Sequence, residues 1–178
     1  MYFFTADEHY GHTNIIKYCR RPFSTVQDMD RELVRRHNEV VKDSDTVIHA
    51  GDFTLQNYTK FKFYKKQLNG KHIFLRGSHD RWINGYLFEQ IKEGHLTEID
   101  QIWEGTIEGQ FIIICHYAMR RWARSHYNSW HLFGHSHGNL APIGKSHDIG
   151  VDCNNFYPMS FNDIKAIMFN RPNNENLV

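Results

Sequence analysis

Five short segments of the chain place carboxylates and imidazoles close together: Asp7-Glu8-His9, Gly51-Asp52, Gly77-Ser78-His79-Asp80, Cys115-His116 and Gly134-His135-Ser136-His137. These side chains bind divalent cations. A carboxylate has two oxygens and can bridge two ions, and a neutral imidazole supplies a nitrogen without cancelling their charge. Two such ions about 3.5 to 4 Å apart can grip phosphoryl oxygens and lower the pKa of a bridging water, giving hydroxide at neutral pH. The chemistry this suggests is in-line hydrolysis of a phosphate ester. His135 and His137 would face opposite sides in a regular strand. In a turn closed by Gly134 and Gly138 they could reach one ion each, and Asp7 and His9 have the same spacing.

Each segment follows a run rich in β-branched and aromatic residues: Tyr2 to Ala6, Thr46 to Ala50, Lys71 to Arg76, Gln110 to Ile114 and His131 to Phe133. Such runs read as strands. Ligands in open α/β sheets bind beyond strand ends, so five strand-end loops could converge on one pocket. Between the strands, helical spacing predicts an amphipathic helix from Asp28 to Lys42, capped by Ser24 or Asp28. A second helix is expected over Leu55 to Leu68, stopped by Asn69-Gly70, and a weaker one over Tyr86 to Lys92, stopped by Gly94. Glu108-Gly109 reads as a hairpin turn between Thr97 to Ile107 and Gln110 to Cys115. Here the pattern changes from βαβ to consecutive strands, which predicts a mixed or second sheet. Ser146 to Val151 reads as a last inner strand. Ser160-Phe161-Asn162-Asp163 reads as a capping box opening a helix to about Phe169. The tail from about 171 onward is expected to fray.

At 178 residues, 40% hydrophobic and 23% charged, the chain is expected to form one globular domain over 1–178. A formal net charge of +1 gives no overall field toward nucleic acid or membrane, so any affinity for a phosphate polymer must be local. Three cysteines without a C-x-x-C argue against a disulfide framework. Met1 to Ala6 is too short for a signal peptide, and nothing approaches a membrane-spanning run. A soluble cytoplasmic protein is expected.

The set Asp7-x-His9, Gly51-Asp52, Gly77-Ser78-His79-Asp80, His116 and Gly134-His135-x-His137 resembles the calcineurin-like metallophosphoesterase family, over Tyr2 to about Asp152. Gly11-His12-x-Asn14-Ile15-Ile16 and Arg21-Pro22-Phe23 resemble a small stand-alone bacterial and phage branch of it. The resemblance implies an α/β four-layer sandwich of two mixed β-sheets flanked by helices. It also implies two divalent metal ions, manganese foremost, with iron, nickel or zinc as alternatives. Carried over by position, Asp7, His9 and His137 would hold the first metal and Asp52 would bridge. His116, His135 and the residue at 78 would hold the second. His79 would stand beside the leaving group as acid or charge stabiliser, and Asp80 would orient its loop. Ser78 departs from the family's Asn, and its shorter side chain would bind the second ion weakly, through water, or not at all. A natural variant with a looser second metal, an introduced substitution that slows turnover, and a loss of catalysis all fit that departure.

His12 could reach the phosphate or hold its loop. Arg120, Arg121 and Arg124 could meet phosphates, with Trp122 stacking on a base; the bland reading is a solvated surface with a packed Trp, and it extends to Arg20 and Arg21. His49, Cys115 and Cys153 read as core. His37, His72, His95 and His147 read as surface or structural, His126 and His131 are unassigned, and Asp148 and Asp152 read as holding ligand loops. The function expected is a dinuclear phosphodiesterase or nucleotide phosphatase, with a metal-bridging hydroxide attacking and His79 near the leaving group. The substrate is a phosphate-ester small molecule or nucleotide, nucleic acid remaining open. The alternative is a weakened or inactive nucleotide- or nucleic-acid-binding module of the same fold.

Overall fold

A computed structural model describes residues 1–92 and 100–175. Its elements run β1 (Tyr2–Thr5), α1 (Thr13–Tyr18), α2 (Val26–Val40), β2 (Thr46–His49), α3 (Tyr58–Lys65), β3 (Lys71–Phe74), α4 (Ile83–Lys92), β4 (Ile102–Ile107), β5 (Gln110–Cys115), β6 (Trp130–Phe133), β7 (Ser146–Asp148), β8 (Met159–Ser160) and α5 (Phe161–Phe169), with a 3₁₀ turn at Val151–Cys153. The fold is α/β, with two mixed four-stranded sheets flanked by helices. The first sheet has the order β3-β2-β1-β8 and the second β4-β5-β6-β7. β1, β2 and β3 are parallel and β8 antiparallel; β5, β6 and β7 are parallel and β4 antiparallel.

Alternation along the strands builds the layers. Phe4, Ala6, Ile48 and Ala50 of the first sheet meet Ile112, Ile114, Trp130 and Leu132 of the second in one buried core, which α5 joins through Phe161, Ile164 and Met168. The opposite face of the first sheet carries helices α1 to α4 over Phe53, Phe61, Tyr64, Trp82, Met29 and Leu33. Phe61 and Trp82 stack at 3.7 Å between ring centres. On the outer face of the second sheet, the irregular segment after His116 packs Trp122 against His131, ring centres 5.2 Å apart.

Several boundaries differ from expectation. The cap of α2 is Thr25, neither Ser24 nor Asp28: its backbone is extended and its hydroxyl accepts from the Asp28 N–H. α3 starts later than Leu55, because Asn57 caps it by accepting from Lys60 N–H. α4 starts earlier than Tyr86, at Ile83. The expected stop at Gly94 and the start of the hairpin at Thr97 lie outside the described residues. The hairpin turn itself has Glu108 and Gly109 both at positive φ, +49° and +81°, which is the twist a two-residue hairpin needs. β7 ends at Asp148, since its carboxylate folds back to accept from Gly150 N–H at 2.9 Å. The capping box of α5 is complete. At the C-terminal end, Asn174 N–H donates to Ser125 O at 3.1 Å, which ties the chain back beyond residue 171. Cys153, expected in the core, is exposed, because the 3₁₀ turn points it outward; Cys115 is buried.

Phe4 is fully buried between the sheets. Phe4→Ala is expected to lower the unfolding free energy by about 3–5 kcal/mol in a urea titration. A loss below about 1 kcal/mol would mean that this layer is not the packed core described.

Candidate functional site

The parallel strands of both sheets end at one place, and hydrogen bonds past their ends hold the loops there. Asp7 N–H donates to Gly51 O and His9 N–H to Asp52 O, both at 3.0 Å, so the β1 and β2 loops stay paired beyond the sheet. Val151 N–H donates to Ala6 O at 3.0 Å and Gly134 N–H to His116 O at 3.1 Å, which joins the second sheet to the first. The approach is close enough to require glycine: a Cβ on Gly77 would lie 2.3 Å from the Asp52 amide nitrogen. Asp7, His9, Asp52, His135 and His137 all have left-handed backbones, with φ between +46° and +68°. Each such residue costs of order 1 kcal/mol or more and persists only where its surroundings impose it.

Two clusters result. Asp7, His9 and His137 offer ligand atoms within 4.8 Å of one another, as do Asp52, His116 and His135. Asp52 joins them, its Oδ2 lying 3.7 Å from His9 Nε2 and 3.4 Å from His116 Nε2. Asp7 Oδ1, both His9 nitrogens and His116 Nε2 are buried without a hydrogen-bond partner. A polar atom left so is costly, and a group of oxygens and imidazole nitrogens facing each other is the donor set a divalent cation takes. The residues therefore fit a bound metal.

Their supports fix which atoms are free. His116 Nδ1–H donates to Ala50 O at 2.9 Å, leaving Nε2 toward Asp52. His137 Nδ1 meets Asp152 Oδ2 at 2.7 Å, leaving its Nε2. Asp7 Oδ2 accepts from His135 N–H at 2.8 Å. Asp80 touches neither cluster. Its oxygens accept from the amides of Asp52 and Gly77 (2.8 and 2.7 Å), from Phe53 N–H and from the Trp82 indole, which locks two loops together. Asp148 does the same for Gly138 and Gly150.

Electrostatics follow from burial. It pushes the Asp7 carboxyl up to about 7, against the pull of His137 and His116. Burial also works against ionised Asp52, but contact with His116 and the N–H of His79 outweigh it and hold this carboxyl well below the usual carboxylate range. Burial pushes His9 down. Burial opposes a charged His116 too, yet Asp52 overrides that and raises it.

The remaining expected residues divide. Ser78 is at the site, but its hydroxyl donates to Asp52 Oδ2 at 3.1 Å. His79 N–H donates to Asp52 Oδ1 at 2.8 Å, and its exposed ring lies 5.8 Å from that of His9. His12 lies 5.5 Å from His9 on another side, its Nδ1 buried and unpartnered. Arg120 and Arg121 do not join the clusters; they are exposed and line a separate groove of about 490 Å³ with Pro172 and Asn174. Trp122, expected as a possible stacking surface, is buried, because the inner side of its segment must cover His131.

Arg21 was expected at the surface and is buried. Its guanidinium grips Asp152 with two 2.8 Å bonds and donates to the carbonyls of Asp7 and Glu8 at 2.7 and 2.9 Å. Arg21-Pro22-Phe23 marks the position as a motif, but not its role, since its partner lies 131 positions on. Cys19 with His137 and Asp152 forms a third potential ligand group, but Asp152 is already committed to Arg21 and His137. A second network was also missed: Glu8 Oε1 meets His49 Nδ1 at 2.6 Å, and His49 Nε2 meets His72 Nδ1 at 3.0 Å. It pins Glu8 into the helix layer, while Asp7 and His9 on either side of it turn to the clusters.

What fold and site define together is an α/β protein with two acid–imidazole clusters at the meeting of its sheets. Over 172 residues the chain is 30% identical to the uncharacterized protein MJ1445 of Methanocaldococcus jannaschii, covering 92% of this chain and 88% of that one. It belongs to the family of that protein. Among solved structures it resembles the protein of unknown function AQ665 from Aquifex aeolicus, with a TM-score of 0.66 and 23% identity, covering 94% of this chain and 98% of that one. At that identity the likeness is one of fold. No family model matches the sequence.

A carboxyl raised in the folded state stabilises it below the unfolded pKa, and that contribution is lost as pH rises toward the folded value. For Asp7 the window runs from 3.8 to about 7. Asn at this position keeps an acceptor for His135 N–H without the charge. Chelator-treated Asp7→Asn protein is therefore expected to melt above the parent, by more at pH 8 than at pH 4. A midpoint at or below the parent's at pH 8 would overturn the account of Asp7 as a buried, uncompensated charge.

Proposed function

We propose that this protein is a metal-dependent phosphoesterase with the four-layer architecture of the calcineurin-like metallophosphoesterases, acting on a phosphodiester or a nucleotide. The observation that carries the reading is the pair of clusters joined by Asp52, with buried ligand atoms that have no partner within the protein. Asp7, His9 and His137 would hold one divalent cation, His116 and His135 a second, and Asp52 both. Two cations, manganese foremost, supply positive charge to phosphoryl oxygens and make water more acidic when bound. The chain's own residues supply the rest. Asp80 and the glycines beside it hold Asp52 at the junction. Arg21, through Asp152, holds His137. His79, exposed at the mouth and tied by its amide to Asp52, is placed to give a proton to, or stabilise charge on, a leaving oxygen. Three unpaired cysteines support a reducing, cytoplasmic setting. Among the described residues no helix is long and apolar enough to cross a membrane.

Ser78 favours a second reading, a weakened or inactive binding module, because its hydroxyl is turned onto Asp52. The two are separated by assaying a chromogenic phosphodiester and monoester with added manganese. The parent is expected to hydrolyse at least one. Asp52→Asn is expected to abolish activity and His79→Ala to lower it about 10²- to 10⁴-fold. A parent without activity, yet binding nucleotide, would decide for the module.

Ser78→Asn tests the second cluster by itself. An amide oxygen reaches further than the hydroxyl, so metal content by mass spectrometry and turnover are both expected to rise. Unchanged values in both would remove position 78 from the metal shell.

A further inference from the structure

No acidic residue occurs between Glu108 and Asp148, while Arg120, Arg121, Arg124 and Lys145 fall within that stretch. The near-zero net charge of the whole chain hides this local excess. The segment leaves the clusters at His116 and crosses the outer face of the second sheet. Trp122 is its anchor: buried against His131, with its indole N–H donating to Ser129 O, it turns its neighbours outward. Met119 N–H donates to His131 Nε2 at 3.0 Å and Ser129 Oγ to Ala123 O, which fix the path further. Arg120, Arg121 and Arg124 are exposed around the anchor.

These arginines differ from those of α2. On α2, Arg31, Arg35 and Arg36 each pair with a carboxylate of the same helix. Among the described residues, Arg120, Arg121 and Arg124 pair with none. Glu175 lines the groove of Arg120 and Arg121, but makes no ion pair with them. Arg124 lies over the Phe111 ring, 4.5 Å from its centre; a guanidinium without a carboxylate partner keeps its N–H donors for a phosphate.

Two tyrosines mark the ends of the segment. Tyr117 is 50% exposed, and its ring lies 4.9 Å from those of both His116 and His135, at the mouth of the second cluster. Tyr127 is 78% exposed. Its neighbour Asn128 accepts through its carbonyl from the Gln110 side chain, at the far end of β5 from His116. The two residues thus stand toward opposite ends of that strand. Arg124 and Asn128 have left-handed backbones, so the segment is a shaped platform.

We propose that this strip, Tyr117 to Tyr127, is a docking surface for single-stranded nucleic acid, which it leads into the two clusters. Exposed aromatic faces for bases at either end, with arginines free of carboxylate partners between them for phosphates, are the parts that sequence-tolerant binding of single strands uses. A free nucleotide could meet one tyrosine or one pair of arginines; only a strand meets them all. The proposal extends the hydrolase reading, from which it takes what happens to the docked strand, but binding itself needs no turnover.

The test is fluorescence anisotropy with 5′-fluorescein-labelled 12-mers of deoxythymidylate and of uridylate, in excess chelator so that nothing is cleaved. The parent is expected to bind at 50 mM salt, and comparison of the two oligomers assigns DNA or RNA. Arg120→Gln/Arg121→Gln is expected to flatten the log–log salt dependence by about 1.4, two single-strand phosphate contacts. Tyr117→Ala is expected to weaken binding about tenfold or more, and Tyr117→Phe to restore it. No binding by the parent would overturn the proposal. So would unchanged binding in both variants, or competition by inorganic polyphosphate joined to an unchanged Tyr117→Ala. Diester hydrolysis is measured on the same parent preparation with manganese. An active parent that ignores both oligomers sinks the strip alone; an inactive parent that binds them through these residues sinks the hydrolase reading alone.

Discussion

The structure depends on keeping two carboxylates, Asp7 and Asp52, buried beside one imidazole, His116. Burial raises the cost of ionising Asp7 and the Asp52 carboxylate adds to it. Nothing within a hydrophobic core would hold such a pair; the backbone around it must. Asp80 gathers the amides of Asp52 and Gly77, Asp148 those of Gly138 and Gly150, and Asp152 the side chains of Arg21 and His137. Three further acids therefore act on the loops, and none of them is needed as a ligand. The left-handed residues belong to the same economy. They turn each side chain inward immediately after its strand ends, and the inter-loop hydrogen bonds hold them in conformations they would not adopt alone.

The gathering of Asp7, His9, Asp52, His116, His135 and His137 was legible because each stands directly past a strand, and parallel strands put their ends together whatever the intervening chain does. The strands themselves were legible as apolar runs, but not which face meets which layer, since Phe3, Val47 and Ile113 are buried as well as Phe4, Ile48 and Ile112. What could not be read depends on partners distant in sequence. Arg21 looks like Arg20 beside it, and only the fold brings Asp152 under the first and not the second. Trp122 among arginines suggests a binding surface, yet His131 needs covering and the tryptophan does that. The α2 cap was misread among adjacent Ser24, Thr25 and Asp28, where the choice turns on which backbone is extended. β7 was read too long because Asp148 curls back on Gly150, which hydropathy does not register.

The two clusters are built unequally, and the inequality rests on one residue: His116 and Asp52 of the second are as buried as Asp7 and His9 of the first, but His135 is exposed. Asp7, His9 and Asp52 come from the first sheet, whose outer face lies under four helices, and all three are buried. Glu8, pinned by His49 on the far side, fixes the stretch between Asp7 and His9 from below. His135 comes from the second sheet and stands exposed, next to the likewise exposed Tyr117 and a Ser78 whose hydroxyl is spent on Asp52. On the proposed reading, the first cation would sit in a closed and rigid set, and the second in an open one with one ligand fewer. The open side is also where the acid-free segment begins. On that reading substrate would approach the more open cluster, so a loose second cluster and an approach from the Tyr117 side would be two consequences of one asymmetry. Position 78 belongs to that open side, but its hydroxyl donates to Asp52 and its neighbours His79 and Asp80 hold the same residue, so a substitution there acts on the joining carboxylate as well as on the second cluster.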